Sequence, residues 1–492
     1  MSASKDKLQR KQQIEAGTDK RAAAAAKEAA ERRKTNIRYS VIAAILVVVF
    51  AFVFIYNSAL PSKMSTGVTI DGEKYSVAQL NYYYSMSYMN FYNTYNAYIS
   101  YGLFFDPSQP LSTQDYSEDM TWREYFIEQG IDNMTEVHVL SKAAADAGFT
   151  LSEEDQAQYE QSIESLRTGW KNAGYSSLRQ YLALNYGKGV TMELVEKELY
   201  RSYVASAFAR QTQEGYTYTA EELAAYHTEH ADEMDTVEYA YYTVSNDNTP
   251  TAEEIAAQVN GTSEEEFAAK ISEFSDNGEP TVLSNTGADI NELYSAWLLD
   301  AGRQPGDAAS FADEANDLGY VVMFLGRDDG SYPLVSFRHI LINAPDIDGD
   351  GVYSEEELAA AEESVSEIYA EWQAGEATED SFAELAGMYT EDGGSMTNGG
   401  LYENVYKGQM VEAVNDWIFE EGRQPGDTTI VTNEGSYTGA HILYFVGTGD
   451  QTFAQYAADQ TMRSEAYNDW MTAAKEAITV ERGNLKLAAQ NR

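Results

Sequence analysis

The chain has 492 residues, with 33 Lys and Arg against 79 Asp and Glu, a formal net charge of −46. So acidic a surface argues against nucleic acid, whose phosphates it would repel, and the length calls for several domains. The absence of cysteine excludes disulfides and a lipid-modified cysteine anchor.

Residues 1–38 carry 11 basic and 5 acidic residues, whereas the remainder carries 22 and 74. Residues 41–56 then form an uncharged apolar run. With its flanks (39–60) the run reaches the roughly 20 residues a spanning helix needs. The charge asymmetry places the basic leader, expected to be disordered, in the cytoplasm and the bulk of the chain outside. A single-pass, uncleaved signal anchor is expected, in preference to a cleavable signal processed at Asn57-Ser58-Ala59. A large exported chain without disulfides suits a bacterial cell membrane, with its main part extracellular.

After the anchor, Gly67–Tyr75 reads as a hairpin around Asp71-Gly72, and Ser76 caps a helix over 77–101. That helix carries eight tyrosines: Tyr82, Tyr83, Tyr84, Tyr88, Tyr92, Tyr95, Tyr98 and Tyr101. With Met86 and Met89 they suit a groove for unfolded segments, and equally a buried core, although Tyr82, Tyr83 and Tyr84 cannot share one face. Helices over 121–148, 152–172, 176–186 and 190–214 make 66–232 a mainly helical domain. His227 and His230 read as part of a solvated helix, not as a metal pair.

Two α/β units are expected at 235–328 and 333–448, then a helical segment over 450–492 that packs back on the 66–232 domain. The block Gly-Arg-Gln-Pro-Gly-Asp recurs at 302–307 and 422–427, each copy five residues after a tryptophan, Trp297 or Trp417. This marks a duplication. The copies differ in polar chemistry. The second holds His339 and His441, two of the five histidines, where the first reads Tyr241 and Val321. Asn277 stands opposite Asp392, so the first copy reads as a structural or client-binding unit without activity.

Inside the second unit, 346–357 has the spacing of an EF-hand loop: Asp346, Asp348, Asp350, Gly351, Val352 giving its carbonyl, Ser354 and a bidentate Glu357. Structural Ca2+ is the expected cofactor of this loop. An acidic turn leading into a helix capped at Ser354 is the plain alternative.

The stretches 337–342, 382–386, 389–395, 399–401, 408–411, 424–427 and 439–442 resemble, in order and spacing, the parvulin peptidyl-prolyl isomerases. The helical domain, tandem units and closing helix together resemble extracytoplasmic foldases of the PrsA and SurA type. The resemblance implies a multidomain α+β fold: a SurA-like helical chaperone domain, then a degenerate and an intact parvulin-like α/β unit. It implies His339 and His441 as paired inner histidines, with Asp392 facing the twisting carbonyl. Leu401 and Met410 would line the proline pocket, with Ser436 and Thr438 at the hydroxyl positions. Val414 departs from the pattern, standing where an aromatic wall is usual.

The chemistry fits such a site. Peptide rotation faces a barrier of ~18–20 kcal/mol from amide resonance, and X-Pro isomerisation is slow enough to limit folding. A catalyst holds the proline ring in an apolar pocket and disfavours the planar, charge-separated amide. No covalent bond is made, so no cofactor is expected for catalysis. The expected function is a membrane-anchored foldase that isomerises X-Pro bonds and holds unfolded exported clients. The alternative is a non-catalytic holdase with both units as scaffolds.

Overall fold

The computed structural model describes residues 2–17, 20–245, 249–274, 278–347, 349, 352–435 and 437–489. It divides into two compact units: the chain to Gly215 together with the chain from Ala466, and Tyr216–Glu465. The 216–232 segment, expected in the helical domain, thus belongs to the second unit, as does the start of the helix Phe453–Glu476.

In the first unit the basic leader is helical, not disordered, forming Ser2–Glu15 and the start of Lys20–Asn57. Its alanine run has high helix propensity, and Arg32 reaches back to Glu28 one turn away. Within the longer helix, Ala23–Ala51 is long and apolar enough to cross a membrane, by length and composition only. The strand Thr66–Ile70 is central in a three-stranded antiparallel sheet, between Glu73–Ser76 and the C-terminal Val480–Arg482. Ser76 and Gln79 form a capping box that starts Val77–Ser100. All three of Tyr82, Tyr83 and Tyr84 are buried. They point different ways, and each direction is covered: Tyr82 stacks on Tyr186, the Tyr83 hydroxyl donates to Glu198, and Tyr84 meets Phe126 edge-on. The far end of the same helix is open, with Tyr98 and Tyr101 54 % and 83 % exposed.

The second unit contains two four-stranded antiparallel sheets with the same strand order. In the first, Thr281–Thr286, Thr236–Ser245, Leu318–Asp328 and Ala308–Asp313 lie side by side. In the second the sequence is Leu401–Val405, Pro333–Asn343, Gly439–Thr452 and Thr428–Asn433. The helices Glu355–Ala374 and Glu379–Tyr389 cover one face of the second sheet through Ile340, Ile442, Val365 and Phe382. The other face packs Phe337, Leu443, Phe445, Val405 and Val414.

The repeated block is the turn that feeds the last hairpin of each module. Gly306 and Asp307 bracket Phe324 with two backbone hydrogen bonds of 2.8 Å, as Gly426 and Asp427 bracket Phe445. Arg303 lies over the Trp297 ring and Arg423 over Trp417. Phe445 therefore matches Phe324, not residue 325, because the first hairpin is one residue shorter. In register, Phe337 pairs Phe445 and Tyr239 pairs Phe324. Stepping along both strands, His339 matches Tyr241 and His441 matches Tyr320. The expectation of Val321 opposite His441 is thereby corrected: Val321 faces the helices. Asn277 lies outside the described residues.

Candidate active site

Two adjacent central strands set the histidines. His339 pairs with Leu443 and Leu341 with His441, so the imidazoles are diagonal neighbours on one face. Both rings are buried, 5.6 Å apart and nearly parallel. Asp392 comes from the turn after Glu379–Tyr389. That turn is pinned to the strand, since Leu341 N–H donates to Thr390 Oγ1 (3.1 Å) and Glu391 N–H to the Leu341 carbonyl (2.9 Å). Beneath it, His339 N–H donates to the Gly400 carbonyl. Gly400 has φ +74°, and a Cβ there would sit 2.2 Å from the His339 carbonyl oxygen, so only glycine fits.

The polar contacts form a chain. Asp392 Oδ2 lies 3.0 Å from His339 Nε2 and accepts from the hydroxyls of Ser395 and Tyr402, and Oδ1 accepts from Gly394 N–H. The His339 contact, joined by these other donors, holds the Asp392 carboxyl well below the usual carboxylate range, against the opposing effect of burial. An ionised carboxylate only accepts, so His339 Nε2 carries the proton. His339 Nδ1 and His441 Nδ1 lie 3.4 Å apart. The buried Nε2 of His441 has no hydrogen-bond partner among the described residues. Burial, with His339 adding to it, lowers the His441 pKa to about 4.

This chain opens on a cleft of about 300 Å³ lined by His339, Leu341, Asp392, Tyr402, Gln409, Met410, Val411, Val414, Tyr437 and His441. Of the expected residues, His339, Asp392 and His441 come together, with Met410 and Val414 beside them. Leu401 does not line the cleft: it pairs with Arg338, one residue out of phase with the cleft face, and Tyr402 holds the position expected of it. Thr438 also lies outside the lining and spends its hydroxyl on the Gly435 carbonyl (2.6 Å). Ser436 lies outside the described residues. Tyr402 and Ser395 were not anticipated. The alternation of Leu401–Val405 could have found Tyr402, and the Asp-x-x-Ser spacing Ser395.

In the first module the corresponding space is filled by aromatic rings. Tyr241 and Tyr320 lie 6.2 Å apart, and Tyr294 is 5.8 Å from Tyr320.

In the 346–357 loop, Asp348 and Asp350 lie outside the described residues. Glu357 is buried, with Oε1 accepting from Ile347 N–H and Oε2 from the Ser354 N–H and hydroxyl, while Asp346 Oδ1 accepts from Gly349 N–H. Val352 is exposed. Here Glu357 closes a capping box for Glu355–Ala374. Among the described residues no three His, Asp or Glu are grouped to hold a metal.

Residues 339–447 match the Rotamase family, the PPIC-type PPIASE domain. The second module is thus a PPIC-type PPIase domain. The match bears out the parvulin resemblance over this domain. No curated protein matches the chain. Similar solved structures include PrsA from Bacillus subtilis, at 12 % identity, 73 % of this chain, 85 % of that one and a TM-score of 0.27. Peptidylprolyl isomerase PrsA from Bacillus anthracis is similar at 11 % identity, 70 % and 93 % coverage and a TM-score of 0.19. A structure from Campylobacter jejuni, described as a SurA-like chaperone, has 12 % identity, 69 % and 90 % coverage and a TM-score of 0.14. Identities and TM-scores this low carry no functional weight. The assignment rests on the PPIase domain match and on the site itself.

Proposed function

We propose that the chain is a membrane-anchored extracytoplasmic foldase whose PPIase domain rotates X-Pro bonds in unfolded clients. The observation that carries this reading is the Asp392–His339–His441 chain opening beside an apolar cleft that holds Met410 and Val414. A proline ring enters the cleft, and the carbonyl of the residue before it meets the polar arm. The planar amide places partial negative charge on that oxygen. Asp392, kept ionised by its donors, disfavours this charge, whereas the twisted amide has less of it to lose. The three groups are preorganised by strand pairing and the pinned turn, so little rearrangement accompanies rotation. The helix Lys20–Asn57 supplies the anchor.

The test is a protease-coupled isomerisation assay on the full chain in detergent micelles. His441→Ala and Asp392→Ala are expected to lower kcat/KM by about 100-fold. Equal rates in wild type and both variants would refute isomerase activity. A second reading, a holdase with both modules as scaffolds, is favoured by Val414 at the pocket wall and by the exposed Tyr98 and Tyr101. It predicts that aggregation of an unfolded client is suppressed without any rotation.

A further inference from the structure

The two modules carry opposite arrangements of one wall. In the second, Phe337 pairs with Tyr402 on the edge strand; in the first, Tyr239 pairs with Leu283. Val414 stands three residues before Trp417, and Tyr294 stands three before Trp297. The first module thus has an aliphatic residue on the edge strand and an aromatic at the N-cap of the short helix Ser295–Leu298. The second has the aromatic on the edge strand and the aliphatic on the corresponding helix Glu412–Ile418. Tyr294 packs edge-on against Tyr239 at 5.7 Å, and Tyr402 stacks on Phe337 at the same distance. The ring is kept, and only the element that bears it changes.

We propose that Tyr402 supplies the aromatic wall of the prolyl pocket that Val414 lacks, and that its hydroxyl positions Asp392, making it both a specificity and a positioning residue. The proposal rests on the isomerase reading of this cleft. In the first module the ring is borne at the start of the helix and packs on Tyr239. In the second, carried on the edge strand, it lies edge-on to His339 at 5.3 Å, and its hydroxyl donates to Asp392 Oδ2 at 3.0 Å. The surface that grips the proline and the carboxylate that faces the carbonyl are therefore one connected piece. Loss of the ring weakens grip, while loss of the hydroxyl alone loosens the carboxylate and leaves grip intact.

The experiment uses the full chain in detergent micelles and an Ala-Leu-Pro-Phe peptide, with kcat and KM from the coupled assay and Kd from calorimetry. Tyr402→Leu is expected to raise KM and Kd about tenfold, the scale of a lost hydrophobic pocket contact. Adding Val414→Phe to it should restore both to within about threefold, which a general packing defect would not allow. Tyr402→Phe keeps the ring and the fold. It should leave Kd unchanged, lower kcat by about tenfold, the scale of one lost charge-assisted hydrogen bond, and move the acid limb of kcat to higher pH. An unchanged Kd in folded Tyr402→Leu, or no restoration by Val414→Phe, overturns the wall. An unchanged kcat and pH profile in Tyr402→Phe overturns the positioning role. Binding without rotation in the wild type would refute isomerase activity alone, with the Kd series still deciding the wall; neither binding nor rotation refutes both.

Discussion

His441 is buried against His339, 5.6 Å ring to ring, and is neutral at neutral pH. Burial enforces this by holding its pKa near 4, against 6.5 for the free side chain. The sign follows directly. As pH falls, the unfolded chain takes up this proton before the folded one does. The stabilisation is therefore complete above pH 6.5, declines between 6.5 and about 4, and is gone below. The loss is expected to reach at most about 3 kcal/mol, from 1.36 kcal/mol per pH unit. Chemical denaturation of the wild type and of His441→Asn between pH 7.5 and 4 checks it: the variant's slope should be flatter across that window. A second residue-level expectation concerns Ser354, whose hydroxyl and N–H both bond Glu357. Ser354→Ala should cost about 1 kcal/mol as a lost N-cap. Thermal melts in a chelator and in millimolar calcium should give the same loss. A loss that grows with calcium would assign the ion to 346–357.

Elements meet tightly where the edge strand Leu401–Val405 leaves the turn at Gly400. Gly400→Ala combines a left-handed backbone with a 2.2 Å clash against the strand that carries His339. It is expected to cut isomerase activity more than tenfold while far-ultraviolet circular dichroism shows the helices intact. Much at this scale was legible in the sequence. The histidines, Asp392 and the repeated turn stand in recognisable patterns, because a strand pair, a pinned turn and a bracketed hairpin each demand particular residues. What stayed hidden was phase. One residue fewer in the first hairpin turns the position opposite His441 from Val321 to Tyr320. Likewise, a reading one step out of register chose Leu401 over Tyr402. A period of two makes each such slip a change of face, and only strand pairing decides it. For the three consecutive tyrosines at 82–84 the sequence left core and groove open, because periodicity assumes one buried face, whereas this stretch of the helix is enclosed on several sides.

At the scale of the whole molecule, the exterior is acidic and the cleft does not correct for it. Among the described lining residues none is Lys or Arg, and the carboxylate of Asp392 is negative. The sequence made the first half of this visible in its net charge of −46, but composition could not tell which charges surround the site. The field and the local charge act in the same direction, on the segment flanking the proline. Peptides with Lys or Leu before proline should be turned over faster than those with Glu. A carboxylate on the substrate held several ångströms from Asp392 is disfavoured by about 1 kcal/mol in a partly wet cleft, or roughly fivefold in kcat/KM. The long-range share should disappear with salt, since the screening length falls to about 3 Å at 1 M. The check is kcat/KM for Ala-Lys-Pro-Phe, Ala-Leu-Pro-Phe and Ala-Glu-Pro-Phe at low and high ionic strength. The Lys peptide's lead over Leu should shrink as salt rises, because the share that comes from steering by the distributed charge is screened and only the share due to Asp392 is left. The Glu peptide should remain slowest at every ionic strength, because Asp392 is close enough to be screened only in part. Preference for Glu at any salt would mean that a basic group enters the cleft when substrate binds, and the charge argument would then fail.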